Sequence, residues 1–543
     1  MTQSRTGAAA LLEALSAQGI TTVFGVPGEE TTDLMTAIHD SDLDFVLCRH
    51  EQAAAFMASV HGRISGTPAV CLATLGPGAT NLVTGVADAH LDHVPLIAIA
   101  GQAARGRLKR ESHQVIDLEA LFAPVTKFSR TLITADDIPA STAEAVRRAT
   151  HEKPGAVHLC LPEDVAAETT DAPIIPATPQ RFGRPHQDSL SAVSDQMRRA
   201  KRPVLIAGAG VLRGDAVDAV RRFVDATAMP LATTFMTKGI LAPDHPQTLF
   251  TVGQPEDDII DLALEAADLI VTVGFDPIEY ATSNLTQGDT PVVALSLTPA
   301  PLDSGWHIAA EAVGDLTQAL DVLADTLDDI TWDPCPTFEA VRDGMRRHLS
   351  RTAGSSRDGA VSPHDLCAAI SNTIRAEDTV LSGVGLHKLW IARQVIAKRA
   401  GQVIVPNGLA GMGLALPGAI AAARLQDQGR VLAICGDGDV MMNIQEMETA
   451  ARLGLRLTVM VWEDGGYGLI DEHQEDAHPE FSFNNPVWSK LASSFGWTHA
   501  HAATLEEVQE LLRSGLTAEG PTLVSVRVDY ASNGGMPTAK LAA

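Results

Sequence analysis

A chain of 543 residues is too long for one ordinary core, and at roughly 150 residues per domain it implies three or four. With 45% hydrophobic and 20% charged residues it reads as globular rather than disordered. Lys plus Arg total 40 against 67 Asp plus Glu, and a net charge of −27 argues against nucleic acid and anionic membrane as partners.

The N-terminal stretch MTQSRTGAAALLEAL has no basic region leading into an apolar core and a cleavage site, so it does not read as a secretory signal. A first block of short apolar runs follows, with 45–48 leading into Arg49, His50 and Glu51, then 69–74, 96–100 and 157–161. Residues 166–190 are rich in Pro and Thr, poor in periodic pattern, and read as a linker. A second block carries runs at 204–207, 269–273 and 292–297. Small polar residues at 350–362 mark another linker, and a third block has runs at 431–435, 458–462 and 523–528. Apolar on both faces and separated by Ala/Leu-rich helical pattern, these runs predict central parallel strands covered by helices. The fold class is therefore α/β, with three doubly wound parallel-sheet domains over about 1–165, 190–330 and 360–535.

The longest uncharged apolar stretch, 408–423, is dense in Gly and interrupted by Pro417, which suits buried structure better than a membrane span. Cys48, Cys71, Cys160, Cys335, Cys367 and Cys435 show no CxxC spacing, and most sit among apolar neighbours. Buried free thiols fit a reducing cytoplasm.

In open parallel sheets ligands collect at the carboxyl ends of strands, so the residues just after each run carry the chemistry. Run 431–435 enters Gly436-Asp437-Gly438, and run 458–462 ends in Glu463-Asp464-Gly465-Gly466. The two aspartates are one strand–helix–strand unit apart, so adjacent parallel strands would bring both carboxylates to one sheet edge. Either Asp-Gly alone is ordinary turn chemistry. Together they suggest a hard oxygen site for Mg²⁺, with glycines that let backbone N–H groups approach a diphosphate. Glu51, at the top of a strand and followed by the small-residue pattern Gln52 to Met57, suits proton transfer; its plainer reading is a helix N-terminal carboxylate beside Arg49. The turn 76–81 either holds a ligand or only turns the chain, and the spacing Gly208, Gly210, Gly214 is not that of a dinucleotide fingerprint.

With these pieces assembled, the chain resembles the acetolactate synthase family of thiamine-diphosphate enzymes along nearly its whole length. The matching stretches are VFGVPGE (23–29), RHEQAAAFMA (49–58), LGPGATNLVTGVADA (75–89), HQVIDLEALFAPVTKFS (113–129), VGLHKLWIAR (384–393), NGLAGMGLALPGAIAAA (407–423), GDGDVMMNIQEMETA (436–450) and WEDGGYGLI (462–470). The resemblance implies pyrimidine-binding, central and diphosphate-binding domains in that order. It implies that Glu51 bonds N1′ of the aminopyrimidine, that Met412 is the apolar fulcrum bending the cofactor, and that the Ala410 carbonyl accepts from the 4′-amino group. Asp437, Asp464 and the Gly466 carbonyl then hold Mg²⁺. Gly385, His387, Lys388 and Gly438 contact the diphosphate, with Asp439 and Tyr467 beside the cofactor and Asn81 and Gln114 near the pyrimidine and substrate. The resemblance also implies a homodimer or homotetramer with each active site between the first domain of one subunit and the third of another.

Departures from the family pattern bear on the chemistry. The usual Asn-Asn at the second metal ligand is Glu463-Asp464 here. Asp439 replaces a Gly or Ser, and a carboxylate there should weaken diphosphate binding unless it turns away or meets Lys388. The tryptophan that tunes acceptor choice gives way to Asp471-Glu472-His473-Gln474. The acidic run to Asp476 either disfavours an anionic acceptor or is a solvated loop, and the basic loop 105–110 could attract a carboxylate. The stretch GFDPIEY (274–280) lies closer to the flavin-free, catabolic type, so FAD is not expected. The resulting expectation is decarboxylation of pyruvate and carboligation to a second 2-keto acid, giving 2-acetolactate. A related carboligase or lyase with another acceptor is the nearest rival. A 2-keto acid decarboxylase is less favoured because its usual His pair is His113-Gln114 here.

Overall fold

The computed structural model describes residues 4–253, 257–286, 290–351, 359–426, 429–472, 479–530 and 536–542. Its framework is three parallel sheets built in chain order. The first runs Asp44–Leu47, Thr22–Gly25, Ala69–Ala73, Leu96–Gln102, Ala156–Pro162, Ser129–Thr131 across its six strands. The second runs Thr248–Thr251, Leu231–Thr233, Pro203–Ala207, Leu269–Val273, Pro291–Ser296, His307–Val313. The third runs Ala360–Val361, Thr522–Val528, Thr458–Glu463, Val431–Gly436, Thr379–Ser382, Val403–Ile404, with Thr498–Ala502 also paired to Thr522–Val528. The α/β expectation with parallel sheets holds.

The central strands form where β-branched and aliphatic residues run unbroken. Ala69–Ala73, Pro203–Ala207 and Leu269–Val273 are buried at every position, as strands covered on both faces must be. Between the first two sheets, residues 171–186 have no regular structure. A short antiparallel pair, Arg5–Thr6 with Thr169–Thr170, closes the first sheet's layer. All six cysteines are free and buried. Among the described residues no helix is long and apolar enough to cross a membrane.

The cores are not divided as three equal blocks would suggest. Phe56, Ala58 and Val60 of helix Glu51–Ser65 share one apolar cluster with Ala415, Ala419 and Ala422 of helix Ala415–Leu425. A small residue permits this approach: a Cβ on Gly418 would lie 2.8 Å from Val60 Cγ2. The central sheet keeps its own clusters, around Phe223 and Leu320 on one face and Leu249 and Val341 on the other. The first and third sheets are thus packed together through these two helices.

Candidate active site

In the third sheet, the chain passes from Thr379–Ser382 to Val403–Ile404 on one side, while Val431–Gly436 lies on the other. That reversal opens a crevice outside the strand ends, where α/β sheets bind ligands. Its walls are Gly383 to Gly385 and Gly436 to Gly438. Gly385 has φ 152°, in the region that favours glycine, and starts helix Leu386–Gln394.

Asp437 heads the short helix Asp437–Val440 and is 1% exposed. Its carboxylate accepts from Gly438 N at 2.9 Å, Gly465 N at 2.8 Å and Asn485 Nδ2 at 2.7 Å. Asp464, one strand over, is open to solvent on one side, yet its carboxyl is pushed up, first by desolvation and then by the neighbouring Asp437 charge. Among the described residues no Lys, Arg or His forms an ion pair with either. Two carboxylates brought together without a counter-charge form a donor set that a divalent, oxygen-preferring cation would neutralise. Gly466 completes the turn, bridged to Ser482, and its N–H donates to Asp464. Asn485 was not singled out by the sequence. It reaches Asp437 from a loop beyond strand Thr458–Glu463, and no local spacing announces it.

His387 is 3% exposed, and burial pushes its pKa down to about 3. The neutral ring accepts Gly436 N–H at Nε2, at 3.2 Å, which leaves its proton on Nδ1. That Nδ1 lies 3.0 Å from where a Cβ on Gly436 would stand, so it faces the crevice as a donor. Tyr467 packs over Gly438, where a Cβ would meet its ring at 2.9 Å, and stacks edge-on against Phe483. Asp439 is turned into the protein. It is 2% exposed, and its Oδ1 accepts Val384 N–H at 3.0 Å and Gly413 N–H at 2.8 Å; burial pushes the carboxyl up to about 6. Lys388 meets Asn407 Oδ1 at 3.2 Å rather than Asp439.

The loop from Asn407 to Leu414 lies against helices Glu51–Ser65 and Pro77–Leu91. Gly411 N donates to Asp88 Oδ1 at 3.1 Å, and Asn407 and Gly408 donate to Asp92. Ala410 takes φ 55°, left-handed backbone that a non-glycine residue enters at a cost. Met412 is half-buried, and its carbonyl is 3.5 Å from Gln52 Nε2.

The first sheet gathers a second cluster. Glu51 is the first residue of helix Glu51–Ser65, with His50 as its cap, which is the position of the plainer reading. Its Oε2 nevertheless accepts from Asn81 Nδ2 at 2.9 Å. A Cβ on Gly78 would lie 3.3 Å from its Oε1. Gly76, at φ 55°, leaves room for Gln114, itself left-handed at φ 58°. The turn 76–81 therefore brings Glu51, Asn81 and Gln114 to one strand end. Arg49 N–H is held by Glu446 of the third sheet's layer at 3.0 Å. In the basic loop, Arg105 is engaged with Asp164 and Glu168, and Arg107 with Ser112 and Glu163. Of the acidic run, Asp471 ends helix Gly468–Glu472 with its neighbour, and residues 473–476 lie outside the described residues.

The structure therefore places the site residues in two groups. Glu51, Asn81 and Gln114 form one; Asp437, Gly438, Asp464, Gly466, Tyr467, Gly385 and His387 form the other. Ala410, Met412 and Lys388 sit on the loop and helix between. Among the described residues no hydrogen bond or ion pair joins Glu51, Asn81 or Gln114 to the aspartate pair.

The second sheet has the same reversal between Pro203–Ala207 and Leu269–Val273. Here a Cβ on Gly210 would lie 2.7 Å from Gly274 Cα, and Gly210 N donates to Gly274 O at 2.8 Å. Glu279, 6% exposed, accepts Ala209 N–H at 2.8 Å and the Thr234 hydroxyl at 2.9 Å. A cavity of about 900 Å³ opens nearby between all three sheets, lined by Arg63, His93, Arg213 and Asp276. None of the sequence-predicted site residues lines it.

Family models for the thiamine pyrophosphate enzymes match in chain order: the N-terminal TPP binding domain over residues 5–121, the central domain over 190–323 and the C-terminal TPP binding domain over 383–526. The chain is 30% identical over 545 residues to the acetolactate synthase of Bacillus subtilis (strain 168), covering 98% of this chain and 95% of that protein. It is 31% identical over 536 residues to the acetolactate synthase isozyme 2 large subunit of Escherichia coli (strain K12), covering 97% and 96%. To the catabolic acetolactate synthase of Raoultella terrigena it is 29% identical over 535 residues, again covering 97% and 96%.

Proposed function

This chain belongs to the acetolactate synthase family of thiamine pyrophosphate enzymes, and on that footing we propose that it decarboxylates pyruvate and joins the two-carbon remainder to a second pyruvate, giving 2-acetolactate and CO₂. The observation that carries the reading is the pair Asp437 and Asp464 at the third sheet's strand ends, two opposed carboxylates flanked by glycine turns.

That donor set fits Mg²⁺ and a diphosphate. Asp437, Asp464 and the Gly466 carbonyl would hold the ion. Gly385, Gly438, Lys388 and the His387 Nδ1–H would take the diphosphate oxygens. When bound, thiamine diphosphate supplies the carbon nucleophile and the electron sink that decarboxylation needs. Glu51, oriented by Asn81, would hold a proton against the pyrimidine ring. Met412 would support the ring, the Ala410 carbonyl would accept from its amino group, and Tyr467 would cover the diphosphate end. Gln114 would face the substrate.

Residues 1–165, 190–330 and 360–535 are assigned as the pyrimidine-binding, central and diphosphate-binding domains. Membership of the family supports active sites completed between subunits, in a homodimer or homotetramer. The stretch 274–280, closer to the flavin-free type, supports function without FAD, and its Glu279 already takes the Ala209 turn N–H. Six buried free thiols support a cytoplasmic location. Arg105 and Arg107, already engaged with Asp164, Glu168 and Glu163, offer little to an anionic acceptor, which keeps a carboligase with another acceptor as the second reading.

A product assay with pyruvate, thiamine diphosphate and Mg²⁺ decides. Acetolactate is the expected product. Acetaldehyde instead would mark a simple decarboxylase, CO₂ only on addition of another carbonyl compound would mark the second reading, and no CO₂ from any 2-keto acid would overturn all three.

A further inference from the structure

We propose that Asp439 is a positioning residue, a buried carboxylate that knots the loop carrying Gly385, His387 and Lys388 to the loop carrying Ala410 and Met412. The inference rests on the cofactor site proposed above and adds a residue that acts behind it.

Three observations carry it. First, one oxygen serves both loops: Oδ1 accepts Val384 N–H at 3.0 Å and Gly413 N–H at 2.8 Å. Second, the side chain has no route to the crevice. It is 2% exposed, and its Oδ2 is buried with no nitrogen or oxygen partner, beside the Cys435 thiol, so the group is committed to the backbone on one side and boxed in on the other. Third, the box is glycine. A Cβ on Gly383 would lie 1.9 Å from Asp439 Oδ2 and 2.7 Å from its Cγ, closer than any real contact. Gly383 has no left-handed φ to explain it, so its missing side chain is the space the carboxylate fills. Gly383 and Asp439 thus form a matched pair.

The consequence is geometric. The diphosphate contacts stand on the residues just after Val384, and the backbone that meets the pyrimidine stands just before Gly413. A group tying those two N–H donors fixes the span between the two ends of the cofactor. Because a single oxygen makes both bonds, shape and acceptor capacity matter more than charge, and an asparagine can replace the aspartate while a hydrophobic or truncated residue cannot.

The test compares full-length wild type with Asp439→Asn, Asp439→Ala, Gly383→Ala and the double variant Gly383→Ala/Asp439→Gly. Amide hydrogen exchange over the Val384 and Gly413 segments is measured without cofactor, and thiamine diphosphate with Mg²⁺ is titrated by calorimetry. Asp439→Ala should lose protection at both segments and weaken cofactor affinity by about tenfold or more, with a smaller loss of kcat at saturating cofactor, since two buried N–H donors lose their acceptor. Asp439→Asn should restore both readouts to within about threefold of wild type. Gly383→Ala should fail like Asp439→Ala, and the double variant, which relieves the clash but leaves both N–H groups without their acceptor, should do no better than Asp439→Ala. Unchanged protection in Asp439→Ala, an Asp439→Asn variant as impaired as Asp439→Ala, or a harmless Gly383→Ala would each overturn the proposal. If wild type itself fails to bind the cofactor, the functional reading falls, while the exchange data still judge the knot.

Discussion

At the strand ends of the third sheet, glycines leave space that side chains use: Gly383 admits Asp439, and Gly436 faces the His387 ring. At the corresponding reversal of the second sheet, glycines let backbone meet backbone, Gly210 against Gly274 and Gly208 against Phe275. The same topology thus yields an open crevice with an unneutralised acid pair in one place and a zipped turn in the other. In the zipped turn the Glu279 carboxyl itself takes the Ala209 N–H that a ligand phosphate would otherwise take. A parallel sheet's reversal is therefore an opportunity for binding, and the residues immediately after the strands decide whether it is taken.

The largest effect that can break this contrast is at Asp437. Asp437→Ala should abolish Mg²⁺-dependent thiamine diphosphate binding and with it activity; unchanged affinity by calorimetry would remove the third crevice from the mechanism. Next is Glu51→Gln, which tests the partner cluster on the first sheet. It should bind cofactor normally while turnover drops by roughly 10²–10⁴-fold, the usual weight of a lost proton-transfer group. A variant turning over near the wild-type rate would refute the role. Asn485→Ala removes the amide that orients Asp437, so metal affinity should weaken by roughly 10–100-fold, as loss of an outer-shell partner generally does. Equal metal requirement in both proteins would mean that Asn485 only packs.

On the second sheet the expected loss is of stability instead. A Cβ at residue 210 would stand 2.7 Å from Gly274 Cα and 2.8 Å from Gly274 O, and backbone cannot yield as a side-chain tip can. Gly210→Ala should cost about 1–3 kcal/mol in urea unfolding. Cofactor affinity per folded molecule should stay as in wild type, whereas a large affinity change would show that the second crevice communicates with the site.

What could be read from the residues alone follows the range of the forces involved. Runs such as Leu269–Val273 are unbroken β-branched and aliphatic segments, and they are strands at those bounds. Leu231–Thr233 and Val403–Ile404 are too short to form a pattern. His307–Val313, at a sheet edge and largely half-buried, carries Glu311 and His307 within it and does not look like a core strand. The aspartate pair was legible because each aspartate follows its strand directly, so parallel pairing alone fixes its place. The meaning of the glycines was not. Gly208 and Gly210 resemble a ligand-binding turn until Gly274 is seen against them, and the inward turn of Asp439 depends on Gly383 and Gly413, which are distant in sequence. Likewise the bridges from Glu446 to Arg49 and from Asp88 to Gly411 join the first and third sheets across most of the chain, beyond the reach of any local spacing.

The finest test of the contrast is the pH dependence of Glu279. Burial raises its carboxyl from the ordinary 4.5 to about 7, with the nearby Asp276 charge adding to the rise against the Ala209 N–H bond, which lowers it. The folded state therefore binds this proton more tightly than the unfolded chain does. The group's contribution is fully present below pH 4.5 and is lost as pH climbs through 7. Glu279→Gln has no such proton to lose, and its amide can still accept Ala209 N–H while donating to the Thr234 hydroxyl. Urea unfolding of both proteins at several pH values should show the difference in stability moving steadily in the variant's favour between pH 4.5 and 7 and levelling off above that. A difference that stays constant across this window would mean that Glu279 is not the buried titrating group closing the second sheet's turn, and the contrast with the acid pair of the third sheet would lose its electrostatic half.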